Sequence, residues 1–253
     1  MTIERLLDLT QNPPAPADLY TRIAFPAAPS DRPYVYINMA STVDGKIVVD
    51  GPGRSATGVG GATDQTLFRR LQRNADAALI GGSTLRASQV IYPPEIARFV
   101  ATRSGDLPSS NRFFTDAPSR AYVVMPEEPA TVLSSSLHAA AVVIPAGRDD
   151  VDWPAVLRRM RTELGVQYLL CEGGGELNDQ LFQAGLADEL FLTLAPKVKG
   201  GRHLPTMAGG DGFAPGLALP LELLSAYRDG SEVYLRYRLG AAPRKYGRVS
   251  AGT

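Results

Sequence analysis

The chain has 253 residues, 44% of them hydrophobic and 21% charged, which is ordinary for a globular protein of one large domain or two small ones. Its 26 basic and 26 acidic side chains balance, which argues against a dominant nucleic-acid surface. A single cysteine, Cys171, excludes an internal disulfide, and two histidines far apart, His138 and His203, give no thiolate or imidazole cage for a metal. The start, Met1-Thr-Ile-Glu-Arg5, lacks the basic-then-apolar order of a signal peptide, and no apolar run reaches membrane-spanning length, so a cytoplasmic enzyme or binding protein is expected. Residues 3–9 read as a short helical turn with Ile3, Leu6, Leu7 and Leu9 on its apolar face. Residues 12–33 hold six prolines, an extension expected to run over the surface without a core of its own.

From Tyr34 the pattern changes. Tyr34–Ala40 and Lys46–Asp50 read as strands around an Asp44-Gly45 turn. Leu67, Leu71 and Ala75, widened by Phe68, predict a helix over 63–74 capped by Thr63 or Asp64. Ala77–Ile80 is a strand running into Gly81-Gly-Ser-Thr84. Residues 88–119, with four prolines and a possible helix at 94–102, read as an irregular excursion of the kind that borders binding sites. Ala121–Met125 and Ala140–Ile144 are short strands. Asp152 caps a helix with Pro154 in its first turn and Gly165 past its end. Val166–Cys171 is a strand, with Cys171 as a small core residue. A helix bearing Leu177, Leu181 and Phe182 runs to Gly185, and Glu189–Ala195 is a long strand. Leu221–Tyr227 and Glu232–Arg238 form a hairpin about Asp229-Gly230, and the basic tail from Gly240 is expected to fray. Early β–α–β alternation gives a mostly parallel sheet, to which the hairpin adds antiparallel strands.

The segment Tyr168-Leu-Leu-Cys-Glu-Gly-Gly-Gly-Glu-Leu-Asn178 is the most specific signal. An apolar strand enters three glycines and then a helix. That order exposes backbone N–H groups at a helix N-terminus, where a phosphate can sit without a Cβ holding it away. A turn needing positive φ accounts for one such glycine but not for three in a row.

Three blocks resemble a known family: Asn38-Met-Ala-Ser-Thr-Val-Asp-Gly-Lys-Ile47, Leu71 through Ala87 with its Gly81-Gly-Ser-Thr84, and Cys171-Glu-Gly-Gly-Gly-Glu-Leu177 through Ala195-Pro-Lys-Val-Lys-Gly-Gly201. Together they resemble the reductase domain of riboflavin biosynthesis. The resemblance implies an α/β, dihydrofolate reductase-like three-layer fold, with a mixed, mostly parallel sheet of about nine strands flanked by helices. The reductase domain would occupy residues 34–239, between the N-terminal extension (1–33) and a flexible basic tail (240–253). It also implies an NADPH-dependent enzyme, commonly a homodimer. Such an enzyme reduces 5-amino-6-(5-phosphoribosylamino)uracil to its ribitylamino product. The zinc-ligand motif of the accompanying deaminase is absent, so a stand-alone reductase is expected. Bacterial bifunctional members carry Ala-Asp-Asp-Pro after the threonine of the first dinucleotide block, and an arginine beyond it. Here the stretch is Ala87-Ser-Gln-Val90 followed by Ile91-Tyr-Pro-Pro94. This keeps open a reductase of pterins, dihydrofolate or another heterocycle on the same fold, or a non-catalytic NADPH-binding protein.

Within that frame Gly81, Gly82 and Thr84 face one part of the dinucleotide. Gly173, Gly174, Gly175, Glu176 and Leu177 offer backbone N–H groups to the pyrophosphate, with the Glu176 carboxylate turned outward to complement the helix dipole. Glu172 is the expected substrate-orienting carboxylate, since an aminopyrimidine presents N–H donors. Asp44 is divided evenly between a turn residue and a substrate or proton-relay role. Asn38 and Thr42 are substrate candidates by position, and Lys46 meets a phosphate or solvent. Arg86 and Arg148 are unranked candidates for the 2′-phosphate of NADPH. No metal, nucleic acid or membrane partner is expected.

Overall fold

The computed structural model describes residues 2–51, 56–130 and 135–243. Ten strands form one sheet: β1 (Glu4–Asp8), β2 (Tyr34–Thr42), β3 (Ala77–Gly81), β4 (Ala97–Ala101), β5 (Ala121–Met125), β6 (Val142–Pro145), β7 (Tyr168–Cys171), β8 (Glu189–Ala195), β9 (Leu221–Asp229) and β10 (Glu232–Leu239). Their order is β1-β9-β10-β8-β2-β7-β3-β4-β5-β6. The seven strands from β8 to β6 are parallel, and β10, β9 and β1 continue the sheet antiparallel. Seven helices lie between them: α1 (Ala62–Gln72), α2 (Gly82–Ala87), α3 (Arg112–Thr115), α4 (Glu127–Ala130), α5 (Ser135–Ala140), α6 (Trp153–Thr162) and α7 (Gly175–Gln183).

Strand alternation sorts the core into two faces. Ile37, Leu79, Leu169 and Cys171 point to one face, where Trp153, Leu157 and Met160 of α6 and Leu177, Leu181 and Phe182 of α7 cover them. Each such buried side chain stabilises the fold by roughly 1.5–3 kcal/mol. On the opposite face Tyr36, Leu170 and Phe191 pack under Leu67 and Leu71 of α1, and Ile80, Val100 and Val123 pack under Leu85, Phe113 and Phe114. The chain thus leaves β2 through α1 and leaves β7 through α7 on opposite faces. In such a sheet the crevice for ligands opens at the carboxyl ends of these strands. Among the described residues no helix is long and apolar enough to cross a membrane.

Several local expectations are corrected. Residues 4–8 are a strand, not a helical turn: β9 offers them a hydrogen-bonding edge, and Leu6, Leu7 and Leu9 remain exposed. Lys46–Asp50 makes only one bridge, Lys46 to Thr206, because Ile47 and Val48 tuck beneath the 204–206 loop. Residues 97–101 form β4 between β3 and β5 rather than a helix. With β1 and β4 gained and 46–50 lost, the sheet has ten strands where about nine were expected. The N-cap of α1 is Gly61, not Thr63 or Asp64. The proline-rich extension lies over the sheet, inserting Leu19 and Tyr20 into the core beneath α1. Asp152 does cap α6, its carboxylate accepting from Ala155 N at 3.1 Å. From residue 244 the basic tail lies outside the described residues.

Candidate functional site

The two glycine junctions meet at the carboxyl ends of β3 and β7. Gly81 N donates to Gly173 O at 2.7 Å, and a Cβ on Gly81 would reach Gly174 N at 3.4 Å, so the junctions touch through bare backbone. The three consecutive glycines do different work. Gly173 has φ +74°, and a Cβ there would press on Met39 Sδ at 2.9 Å. Gly175 passes under another loop: its carbonyl accepts from Gly209 N at 3.0 Å, and a Cβ would collide with Thr206 O. Gly174 is joined to Gly173 by a cis peptide bond, and a Cβ there would meet only Ser83 Oγ and Thr84 Oγ1, each at 3.8 Å. Packing around Gly174 therefore does not demand a glycine. Its bare face looks toward two hydroxyls, between the N-termini of α2 and α7, neither of which carries a side-chain cap. Such a cradle suits a phosphate bridged between two helix N-termini, where backbone and hydroxyl donors meet the anion.

Neighbouring side chains hold this cradle. Asn178 is fully buried and donates to Met207 O at 2.9 Å, tying α7 to the 206–209 loop. Cys171 is a buried core thiol pushed up to about 12 by burial, as its apolar strand implied. Leu177 is core, so only its backbone can face a ligand, whereas the Glu176 side chain is exposed. Gly82 is buried, and a Cβ would touch Ala101 O at 3.3 Å, which places the end of β4 beside this junction. Arg86 Nη1 donates to Asp106 O in the same region. Arg148 instead follows β6 at the far sheet edge, paired with Glu128.

Glu172 follows β7 and points to the α1 face, into the seam between the two core clusters. Gln72 Nε2 donates to its Oε1 at 3.0 Å and the Tyr92 hydroxyl donates to its Oε2 at 2.7 Å. Burial pushes its carboxyl up to about 7, and these two donors offset part of that rise. A carboxyl so poised is present in both protonation states near neutral pH. Pairing of Ile37 with Cys171 puts Asn38 and Glu172 at adjacent register positions.

Asp44 is a clasp. It accepts from Thr42 Oγ1 at 2.6 Å, Lys199 N at 3.0 Å and Gly200 N at 2.7 Å. These donors hold its carboxyl down at about 2, so it is ionised throughout the physiological range. Thr42 is fully buried and also accepts from Lys46 N at 2.9 Å, fixing the turn that carries Lys46.

Sequence reasoning missed Tyr92, Gln72 and Asp64. Asp64 carried a legible signal, since it lies three and seven residues before Leu67 and Leu71 on the apolar stripe of α1. It is buried, and Gly60 makes room for it: a Cβ there would collide with the carboxylate. Burial raises its carboxyl to about 6, the Thr193 hydroxyl offsetting part of the rise and the Glu232 charge adding to it. Tyr92 and Gln72 carried none, because their partner lies 80 and 100 residues away.

A sequence profile described as the RibD C-terminal domain matches residues 33–235. The 2,5-diamino-6-ribosylamino-4(3H)-pyrimidinone 5′-phosphate reductase of Methanothermobacter thermautotrophicus is 32% identical over 223 residues, covering 81% of this chain and 98% of that protein. The reductase of the same name from Archaeoglobus fulgidus is 28% identical over 197 residues, covering 72% and 89%. Among solved structures, Acinetobacter baumannii RibD has a TM-score of 0.69 at 19% identity. It matches 83% of this chain, which spans 59% of that one. A pyrimidine reductase-like protein of Corynebacterium diphtheriae has a TM-score of 0.68 at 18% identity, covering 83% and 92%. Both structural likenesses speak to the fold.

Proposed function

Because the chain belongs to the RibD C-terminal domain family, an oxidoreductase family of the pyrimidine reductase type, we propose that it uses NADPH to reduce a phosphorylated ribosylaminopyrimidine to the ribitylamino product. The observation that carries this reading is the bare face of Gly174 opposite the Ser83 and Thr84 hydroxyls, at the meeting of two helix N-termini. Gly81, Gly82, Thr84 and the backbone from Gly173 to Leu177 would hold the dinucleotide phosphates, and Arg86 stands nearer to them than Arg148. When bound, the nicotinamide supplies a hydride to the sugar carbon attached to nitrogen.

The sugar ring of the substrate opens to a carbon–nitrogen double bond. That bond gains a hydride at carbon and a proton at nitrogen, which balances the reduction. Glu172, divided between its acid and base forms near neutrality, orients the substrate and exchanges this proton with the site. Asn38 lies beside it on β2 and contacts the same substrate. Asp44 and Thr42 position the turn that presents Lys46 to the substrate phosphate. The relatives' name carries an amino group at ring position 2, where the compound expected from the sequence carries an oxygen. The reduction at the sugar is the same for both.

Steady-state oxidation of NADPH and NADH tests the reading, with both phosphoribosylaminopyrimidines, dihydrofolate and a dihydropterin as substrates. Turnover of a pyrimidine with NADPH, and little with the pterins or with NADH, is expected. A protein that binds NADPH but turns over neither pyrimidine refutes the assignment.

A further inference from the structure

Arg98 places a cation in the middle of the core. Alternation along β4 turns Phe99 toward α6 and α7 and turns Arg98 toward α3. The side chain is fully buried, and its Nε has no hydrogen-bond partner. No carboxylate pairs with it among the described residues. Burial lowers its pKa, and the Asp116 charge offsets part of the fall. An unpaired buried cation is costly, and an apolar side chain of similar volume often serves a core better. The charge is accounted for by what it touches. Nη2 donates to Pro93 O at 3.2 Å and Nη1 to Phe113 O at 3.3 Å, so one planar fork joins the segment before β4 to the helix after it. Pro93 follows Tyr92 directly. The guanidinium carbon lies 5.8 Å from the centre of the Tyr92 ring, within cation–π range, and Phe113 meets the same ring edge-on at 6.2 Å. The hydroxyl of that ring donates to Glu172 Oε2 at 2.7 Å. Cation, phenol and carboxyl therefore form one connected chain of contacts.

We propose that Arg98 is a positioning residue for the reaction: it fixes the Tyr92 phenol, and the phenol in turn holds the Glu172 carboxyl in place for the substrate. The proposal rests on the role given to Glu172 in the reductase reading and supplies the group that orients it. A side chain that exchanges a proton is commonly oriented by a further group behind it. The effect of the cation is electrostatic as well as steric. Burial and the Glu172 charge push the Tyr92 phenol up, and the Arg98 charge pulls against them, which makes the hydroxyl a stronger donor to the carboxylate. Among the described residues the titratable groups facing Glu172 are Tyr92, Tyr36 from β2 and Cys171 beside it in the chain. Burial raises all three, so each is neutral near pH 7. The Gln72 amide from α1 is uncharged and donates to the other oxygen. Loss of the Tyr92 donor is therefore read directly as a rise in the titration of Glu172.

The titration is measured on the whole chain without cofactor or substrate, by NMR of glutamate carboxyl carbons labelled with carbon-13, with Glu172→Gln identifying the signal. Tyr92→Phe should raise the titration of Glu172 by about one pH unit, since a hydrogen bond to a charged group is lost. Arg98→Met, which fills the volume without the charge, should raise it by a similar amount. The double variant should rise no further than Tyr92→Phe alone, because Arg98 acts through the phenol. Arg98→Lys keeps the charge but not the fork, so it should raise the titration less than methionine does, and not at all on the Tyr92→Phe background. This variant carries the test if methionine prevents folding. A purely structural Arg98 would lower thermal stability in these variants and leave Glu172 titrating as in the parent, which overturns the proposal. Rises that add in the double variant overturn the route through Tyr92. The pH profile of NADPH oxidation should move with the titration in each single variant, and a profile that stays put while the titration moves overturns the part assigned to the reaction. The expected shifts in a protein that turns over no pyrimidine leave the chain of contacts standing and sink the reductase reading alone.

Discussion

Replacing Glu172 with glutamine should make the protein more stable at alkaline pH, against the usual result of altering a site residue. The carboxyl is raised from its ordinary 4.5 to about 7 by burial. Below pH 4.5 it is protonated in both the folded and the unfolded chain, and its contribution to stability is fully present. As pH rises toward 7 the unfolded chain releases the proton first, so stability is lost through that window and stays lost above it. At 1.36 kcal/mol per pKa unit, the rise corresponds to at most about 3 kcal/mol, and the residue's partial exposure trims this to about 1–3 kcal/mol. A glutamine pays none of this desolvation cost. It still offers an acceptor to the Tyr92 hydroxyl, and the Gln72 amide can turn to accept from it. Urea unfolding of parent and Glu172→Gln at pH 4.5, 6 and 8.5 isolates the effect as a difference of differences, in which the similar fall due to Asp64 cancels. The gap in favour of the variant should widen by about 1–3 kcal/mol between the lowest and highest pH, while turnover drops roughly ten- to a hundredfold. A gap that stays constant with pH refutes the reasoning, since Glu172 would then titrate alike in both states.

Gly174→Val should fold like the parent yet bind NADPH more weakly by about 2 kcal/mol or more, whereas Gly175→Ala should lose about 1–3 kcal/mol of stability by collision with Thr206 O; calorimetry and thermal melts on both variants separate the two roles. Asp44→Ala should speed amide exchange at Lys199 and Gly200 and leave the sheet core protected. In the parent the same clasp holds from neutral pH and is lost only as pH falls through about 2, which exchange measured along an acid series will show. Arg236→Met removes the cation that donates to Glu189 at 2.7 Å, and Glu189 is 1% exposed. The single change should cost about 3–5 kcal/mol in unfolding experiments, and adding Glu189→Met should recover most of it.

Features set within a dozen residues were legible. The strand, the three glycines and α7 follow one another without a break, and the hairpin about Gly230 announces itself through its turn. Asp152 and Pro154 mark the start of α6 in the same local way. Features set by distant partners were not legible. Residues 4–8 are a strand because β9, more than two hundred residues later, lends them an edge, while their spacing of leucines also fits a helical turn. Glu172 was recognisable by its place before the glycines, but its raised carboxyl is the work of burial by distant segments, which also bring in Gln72 and Tyr92 to offset part of the rise. The triple glycine read as one motif, yet only Gly174 is bare for a reason outside the chain's own packing.

The stretch after α2 ties these points together. Where bacterial bifunctional relatives carry Ala-Asp-Asp-Pro, this chain has Ala87-Ser-Gln-Val90, and the segment is held by Asn111, which donates to Ser88 O at 2.8 Å, and by Arg112 N, which donates to Gln89 Oε1 at 3.0 Å. It runs on to Tyr92, whose hydroxyl meets Glu172. The segment thus brings a neutral donor to the seam, where burial keeps the Glu172 carboxyl divided between its acid and base forms near pH 7. Asp64, a further buried carboxylate on this side of the sheet, is set across β2 beneath α1. Two carboxylates kept apart by a strand titrate separately, whereas a clustered acidic pair would couple its protons and repel a phosphorylated ligand. The departure in sequence leaves the two glycine junctions in place, so the turnover of Glu172→Gln and the cofactor affinity of Gly174→Val are expected to change independently of each other.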